Sequence, residues 1–329
     1  MAKRENQKAK LLALVEIFKH KTDEAHPLTL AEIVSHLSAY GISAERKSLY
    51  DDMETLRTFG YDIISVKRKT TGYYLGSRRF ELAELKLLAD AVESSRFITV
   101  KKSDELIGKL SDEVSEYEAD TLRREVHIAG RVKTMNESIY YNVDLIHTAI
   151  REDKKIRFLY FRWNEKKEKV FRHDGAYYEI SPFALTWDDE NYYLIAYDSA
   201  SDSVRHYRVD KMTRLSVSEA ARDGKERFER FDLADYTYSV FGMYGGARED
   251  VTLLVANELA GVIIDRFGTS LTFFPAEDGF FTVHVRIAVS PTFLSWVLGF
   301  GSRMRILSPD SVKEKVIALA QETLLAYRK

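Results

Sequence analysis

Residues 43–60 read SAERKSLYDDMETLRTFG, and residues 61–75 read YDIISVKRKTTGYYL. The first run sets Leu49, Met53 and Leu56 at helical spacing, which makes one apolar stripe and leaves Arg46, Lys47 and Tyr50 to share the outer face. The hydroxyl of Ser43 can cap this helix, which is expected to run to about Thr58. After Gly60 the period changes from 3.6 to 2. Tyr61 to Val66 and Gly72 to Leu75 are β-rich runs flanking Lys67-Arg68-Lys69-Thr70-Thr71, the pattern of a two-stranded hairpin with a basic tip.

Working outward, Leu11, Leu12, Leu14, Val15, Ile17 and Phe18 recur at helical spacing, so a first helix ends before the His26-Pro27 break. Thr29 offers an N-cap oxygen with Glu32 three residues on, a capping box that opens a short second helix ending at Gly41. Helix, helix-turn-helix, hairpin is the winged-helix order. In that arrangement the helix after the turn presents its N-terminal side chains to base edges in the major groove, here Ser43, Arg46, Lys47, Ser48 and Tyr50. Arg46 is the first choice for a base reader, because a guanidinium can bond guanine at two atoms. Lys67, Arg68 and Lys69 suit phosphates or a minor groove. Asp51 and Asp52 would repel phosphate, and are expected to turn away or to orient neighbouring cations. A charge run alone reads as a solvated helix face; the ordered helices, caps and basic hairpin reverse that reading.

The chain has 329 residues, 45% hydrophobic and 30% charged, enough for two or three domains with proper cores. It contains no cysteine, which excludes disulfide scaffolds, thiolate zinc sites, iron–sulfur clusters and cysteine nucleophiles. Residues 1–80 carry 14 Lys and Arg against 10 Asp and Glu, whereas the remaining residues carry 35 against 41. A basic head on an acidic body fits a nucleic-acid-binding module joined to a regulatory one. The apolar segment Leu11 to Phe18 is interrupted by Glu16 and is neither a signal peptide nor a span, so no membrane partner and a cytoplasmic location are expected.

Amphipathic helices are predicted from Glu81 to about Tyr117, interrupted at Phe97 to Val100, and another from about Val143 to Glu152. Strands then dominate: Ile156 to Phe161, Tyr177 to Phe183, Tyr192 to Tyr197 and Val204 to Met212. Turn signals such as Asp188-Asp189-Glu190-Asn191 separate them, which argues for a small antiparallel barrel ending near Ala221. Beyond the Gly-rich Phe241 to Gly246, strands and helices alternate: strand Val251 to Val255, helix Asn257 to Phe267, strands Leu271 to Phe274 and Phe280 to Val289, helix Pro291 to Phe300, strand Met304 to Leu307 and helix Ser311 to Tyr327. The fold class is α+β and multidomain: winged helix (1–76), helical linker (77–142), barrel (143–221), then connector and α+β C-terminal domain (222–329).

On an alternating strand Arg205, Tyr207 and Val209 face one way, and His206, Arg208 and Asp210 the other. Two arginines within four residues, flanked by the rings of Tyr193, Tyr197 and Tyr207, supply cations for phosphate and flat faces for bases, so an anionic ligand is expected. The alternative is that Arg208 pairs with Asp210 and the tyrosines are core. His206 is able to titrate near neutral pH, although a lone exposed histidine is the blander account. Trp296 and Phe300, four apart, read as one apolar face, and Arg303 and Arg305 as solvated rim charges or reaches toward the barrel's ligand. No H-E-x-x-H, G-x-x-x-x-G-K-[ST], G-x-S-x-G or G-x-G-x-x-G in a strand-to-helix setting occurs, and none of the eight histidines stands at a metal-ligand spacing. The chain is therefore expected to be no enzyme and to hold no cofactor and no metal.

Four stretches carry a resemblance. SAERKSLYDDMETLRTFG resembles the recognition helix of winged-helix regulators that precede a WYL domain. Asn191-Tyr192-Tyr193-Leu194-Ile195-Ala196-Tyr197 is similar to that domain's signature, with Tyr192 at the tryptophan position. Arg205-His206-Tyr207-Arg208-Val209-Asp210 is similar to its arginine-aromatic-arginine-x-aspartate strand, and Trp296 to Gly301 followed by Ile306-Leu307-Ser308-Pro309 resembles its C-terminal extension. The resemblance implies a bacterial transcription regulator with a Sm-like or SH3-like WYL barrel, a double-stranded DNA partner, a nucleotide or nucleic-acid effector and a homodimer. Effector at Arg205, Tyr207 and Arg208 would shift the barrel against the extension, and the helices from Glu81 to Tyr117 would carry the shift to two winged helices, retuning their match to half-sites ~34 to 36 Å apart. The other reading is an RNA- or single-strand-binding adaptor that works through the Sm-like barrel.

Overall fold

The computed structural model describes residues 2–125, 133–188, 190–229, 248–277 and 279–328. The Gly-rich stretch Phe241 to Gly246 and Asp189 lie outside the described residues, as does most of the expected connector. The chain divides into two compact units, Met1–Glu137 and Ser138–Lys329, and both mix helix with strand.

In the first unit, α1 (Ala2–Lys21) precedes a short β1 (Leu28–Thr29) and α2 (Leu30–Ala39). The Thr29 hydroxyl accepts from the Glu32 N–H while the Glu32 carboxylate accepts from the Thr29 N–H at 2.7 Å, so the capping box forms as read. Gly41 adopts φ +71° and turns the chain back, which buries Ile42 and lets its N–H donate to Leu37 O. That geometry corrects one expectation. Because Ile42 is anchored in the core, residues 43–45 run on before the helix begins, and α3 (Arg46–Thr58) takes Glu45, not Ser43, as its N-cap residue. The hairpin forms from β2 (Ile63–Lys67) and β3 (Thr71–Leu75), and β1 pairs with β3 to make a third strand the sequence reading lacked. A Cβ at Gly72 would meet Pro27 at 2.9 Å, so the close approach of β3 to the turn after α1 requires glycine there. Leu14, Ile17, Phe18, Ile33, Leu37, Leu49, Met53, Leu56 and Ile63 form the core, each full burial contributing about 1.5 to 3 kcal/mol.

Helices α4 (Leu82–Ser94), α5 (Val100–Ser111) and α6 (Glu116–Glu125) follow in the same unit, around Leu85, Ala89, Val114 and Leu122. The break between α4 and α5 falls where Phe97 to Val100 predicted it, with Thr99 capping α5. The segment expected as a linker is helical and is tied to the turn after α1. Ser115 Oγ donates to the buried Asp23 carboxylate at 2.6 Å, and His26 stacks on Tyr117 with ring centroids 3.7 Å apart. Arg78 donates to Lys19 O at 2.8 Å and Thr22 O at 2.6 Å, closing the last carbonyls of α1.

The second unit opens with α7 (Ile139–Arg151), then β4 (Lys154–Trp163), β5 (Lys169–Phe171), β6 (Tyr178–Asp188), β7 (Asn191–Asp198), β8 (Ser203–Arg208) and β9 (Met212–Ala221). The order is β5-β4-β6-β7-β8, with β9 returning to pair with β4, which curls the antiparallel sheet into a half-barrel. The single strand expected from Val204 to Met212 is in fact two. A 3-10 turn at Val209–Lys211 buries Val209 and redirects the chain onto β4, so Asp210 stands on a turn and not on an alternating strand. After α8 (Lys225–Glu229) come β10 (Arg248–Ala256), α9 (Ala260–Phe267), β11 (Phe274–Pro275), β12 (Phe280–Ala288), α10 (Pro291–Leu298), β13 (Met304–Ser308) and α11 (Asp310–Ala326). Their sheet runs β11-β12-β10-β13. Val251, Leu253 and Val255 face Val285, Val283 and Phe281 across the register and pack on Ile263, Phe293 and Val297 from the helices. Trp296 and Phe300 are in ring contact at 5.2 Å, one apolar face as read. Among the described residues, no helix is long and apolar enough to cross a membrane.

Candidate nucleic-acid interface and tyrosine-lined barrel site

Arg46, Lys47 and Tyr50 all point to solvent from the first turns of α3. Tyr50 hydrogen-bonds Tyr73 of the hairpin; burial first, and that hydrogen bond second, hold the Tyr73 phenol above its ordinary pKa. Helix face and hairpin are thereby pinned to one another. Ser43 is exposed but precedes the helix, and Ser48 is drawn inward: it donates to Glu45 O at 2.9 Å and accepts from Lys10 Nζ at 3.3 Å. Asp52 also turns inward and pairs with Lys10 at 2.6 Å. Asp52 is thus withdrawn from the cationic face, one of the two outcomes expected for the pair, whereas Asp51 stays exposed one turn after Lys47. Lys10 itself was missed. Its signal was present, because it stands four residues before Leu14 on the stripe that Leu14, Ile17 and Phe18 bury.

At the hairpin tip Lys67 and Lys69 are exposed. Arg68 bends back, donating to Glu24 O at 3.2 Å and Ala25 O at 3.3 Å. It fixes the tip against the turn after α1. Two of the three tip cations therefore face outward, and the third holds them there.

In the barrel, cross-strand partners share a face. Leu194 stands opposite Tyr207, while Tyr193 stands opposite Arg208 and Ile195 opposite His206. The five expected ligand residues therefore separate. Arg205 and Tyr207 project from one face of β8, and His206 and Arg208 project with Tyr193 from the other. Tyr193 and Ile195 pack against Val204 and Phe228 as core. Arg208 donates twice to Asp210, at 3.0 Å each, and to Asn191 Oδ1 at 2.7 Å. Burial works against its charge, but the Asp210 hydrogen bonds and charge win and raise its pKa. Arg208 is a structural pair, the alternative weighed above, and it does not share a ligand face with Arg205. The cause is the two-residue pleat, which one ligand trio at Arg205, Tyr207 and Arg208 would have to ignore.

The other face holds an arrangement that the sequence reading did not assemble. Tyr207 contacts Tyr160, Tyr178 and Phe158 at ring-centroid distances of 5.6, 5.7 and 5.5 Å. The Arg172 guanidinium lies 5.6 Å from the Tyr160 ring, and His173 meets Tyr178 at 4.8 Å. Arg205, about half exposed and 3.5 Å from Asp198, stands at the same rim. Burial raises the pKa values of Tyr160, Tyr178 and Tyr207, so all three remain neutral donors at physiological pH. Tyr207 is only 4% exposed and belongs to the barrel core, and the Tyr160 hydroxyl already accepts from the Arg208 N–H at 3.1 Å. The groups within reach of a ligand at this rim are therefore the exposed Arg172 and Arg205 guanidiniums beside the half-buried Tyr160 and Tyr178. Cations beside aromatic rings can recognise an anion that carries a flat ring. The missed signal is parity: Phe158 and Tyr160 alternate on β4, and Tyr178 joins them only through the β4–β6 pairing.

Comparison with known proteins places a WYL domain at residues 141–217 and a WCX domain at residues 247–324. No curated protein matches the chain. Among solved structures the chain is similar to proteasome accessory factor B/C (PafBC) of Arthrobacter aurescens, at 21% identity and a TM-score of 0.29, over 99% of this chain and 49% of that one. It thus spans about half the length of that structure. It is also similar to a CRISPR Cas-related protein, at 13% identity and a TM-score of 0.38, over 75% of this chain and 72% of that one.

Proposed function

We propose that this chain, a WYL-domain protein with a WCX domain behind it, is a cytoplasmic transcription regulator that binds duplex DNA through its first unit and an anionic effector through its barrel. The observation that carries the reading is the pairing, in one compact unit, of an exposed Arg46-Lys47-Tyr50 face with a hairpin whose Lys67 and Lys69 point outward. It supports a winged-helix reading, in which Arg46 would read a base edge and the tip lysines would hold phosphate. We assign the effector to the Tyr160, Tyr178 and Tyr207 face under Arg172 and Arg205, and its class to nucleotides or nucleic acid. No catalytic step is part of this reading.

The route from effector to DNA runs, in this proposal, through α6. Ser115 and Tyr117 grip Asp23 and His26, and the carbonyls between those two residues hold Arg68 at the hairpin tip. A shift of α6 would therefore move the tip. A homodimer would present two such units to a palindromic operator. Selection of bound duplexes from a randomised pool tests the proposal: enrichment of a two-fold symmetric site is expected, and a pool that stays random after several rounds overturns it.

A further inference from the structure

Tyr50 stands four residues after Arg46 on α3, so the two side chains lie one above the other on the outer face, ~6 Å apart along the helix axis. The helix beneath them is held at both ends. Lys10 pairs with Asp52 at 2.6 Å, and Arg57 Nε donates to Ile63 O of β2 at 2.9 Å. Tyr50 is 52% exposed, yet its hydroxyl is tied to that of Tyr73, which stands on β3 and is 6% exposed. The polar end of the side chain is therefore turned to the hairpin, and the flank of the ring is left facing solvent. Beside it Asp51 is exposed. A carboxylate there repels phosphate, so this turn of the helix suits base edges and not the DNA backbone.

We infer, resting on the operator reading above, that Tyr50 is a specificity-determining residue that packs its ring on the 5-methyl group of a thymine, and that Tyr73 positions it to do so. With the hydroxyl engaged at the hairpin, what the ring offers the groove is carbon. The apolar group on a major-groove base edge is the thymine methyl; the other groups there are hydrogen-bond donors and acceptors. A helix rise of ~6 Å spans about two base-pair steps of ~3.4 Å, which sets the thymine within two base pairs of the guanine that Arg46 reads.

The test starts from a duplex enriched from the randomised pool, bound by the full chain and followed by fluorescence anisotropy. Each thymine is replaced in turn by deoxyuridine, which removes the 5-methyl group and nothing else. At one thymine of each half-site, within two base pairs of the guanine whose replacement the parent feels and Arg46→Ala does not, deoxyuridine is expected to weaken binding about fourfold, the worth of one buried methyl group. Tyr50→Ala should bind the two duplexes equally. Tyr50→Phe should keep the distinction, because the ring and not the hydroxyl makes the contact, and Tyr73→Phe should blunt it while leaving the guanine preference intact. Tyr50 is exposed, so both of its variants are expected to melt with the parent. Deoxyuridine bound as tightly as thymine at every position, or a methyl effect that persists in Tyr50→Ala, overturns the inference and leaves the operator reading standing; a pool that stays random overturns both.

Discussion

Lys10 Nζ and the Asp52 carboxylate lie 2.6 Å apart, with side chains only 7% and 15% exposed, joining α1 to the outer helix α3. Ser48 accepts from the same ammonium group. A buried ion pair of this kind adds little net stability over an apolar pair, but stranding one partner is costly. Its evident consequence is register: it sets the rotation of α3 about its axis, and so the direction in which Arg46 and Lys47 point.

Lys10→Met leaves Asp52 buried without its cation and is expected to destabilise the first unit by about 3 kcal/mol. The double variant Lys10→Met, Asp52→Leu should recover most of that loss. Urea unfolding followed by circular dichroism measures both. Equal stability of the single variant and the parent would show that the pair is not buried in solution.

Asp23 gives a pH dependence with a defined sign. Burial pushes its pKa up, but hydrogen bonds from Ser115 and His26 outweigh burial and hold the carboxyl below its ordinary range. A group with a depressed folded pKa contributes stability that is full above its unfolded value, ~3.9, and is lost as pH falls through the folded one. The stability difference between the parent and Asp23→Asn should therefore be constant from pH 7 to about pH 5 and shrink below about pH 4. A gap that widens on acidification would contradict the assignment.

The two barrel arginines should behave differently. Arg208→Ala removes both hydrogen bonds to Asp210 and leaves that carboxylate with Lys211 as its cation, and is expected to cost about 1 to 2 kcal/mol. Arg205, half exposed and loosely paired, should change stability by less than about 0.5 kcal/mol when replaced by alanine. Thermal melts of the two variants separate the structural cation from the one at the tyrosine rim; equal losses would place both in the same role.

How far these features were legible in the sequence depended on whether their cause was local. The Thr29 capping box, the helical stripe of α3, the hairpin after Gly60 and the break before α5 each follow from residues within one turn or one strand, and each formed. Ser43 failed as a cap because Ile42, buried against distant residues, decided where the helix could begin. The tyrosine face was invisible for the same reason, since Phe158, Tyr178 and Tyr207 meet only through the pairing of β4 with β6 and the closure after β8. The split at Val209–Lys211 could not be read from alternation alone, because Val209 looks the same in a strand and in a buried turn.

Lys67→Ala and Lys69→Ala should each weaken DNA binding about equally on all sequences and lower the salt slope by about 1. Arg68→Ala, which frees the tip from Glu24 and Ala25, should cost more than either without a matching change in slope. Titrations at several salt concentrations distinguish a phosphate contact from a positioning one.

The measurement that bears most directly on the regulator reading is binding of the full chain to the DNA upstream of its own gene, beside a scrambled duplex, at ~150 mM salt. The account predicts retention of the upstream duplex alone, and loss of that preference in Arg46→Ala with residual, sequence-blind binding through the hairpin lysines. Equal, salt-sensitive binding of both duplexes by the parent, unaltered by Arg46→Ala, would contradict it.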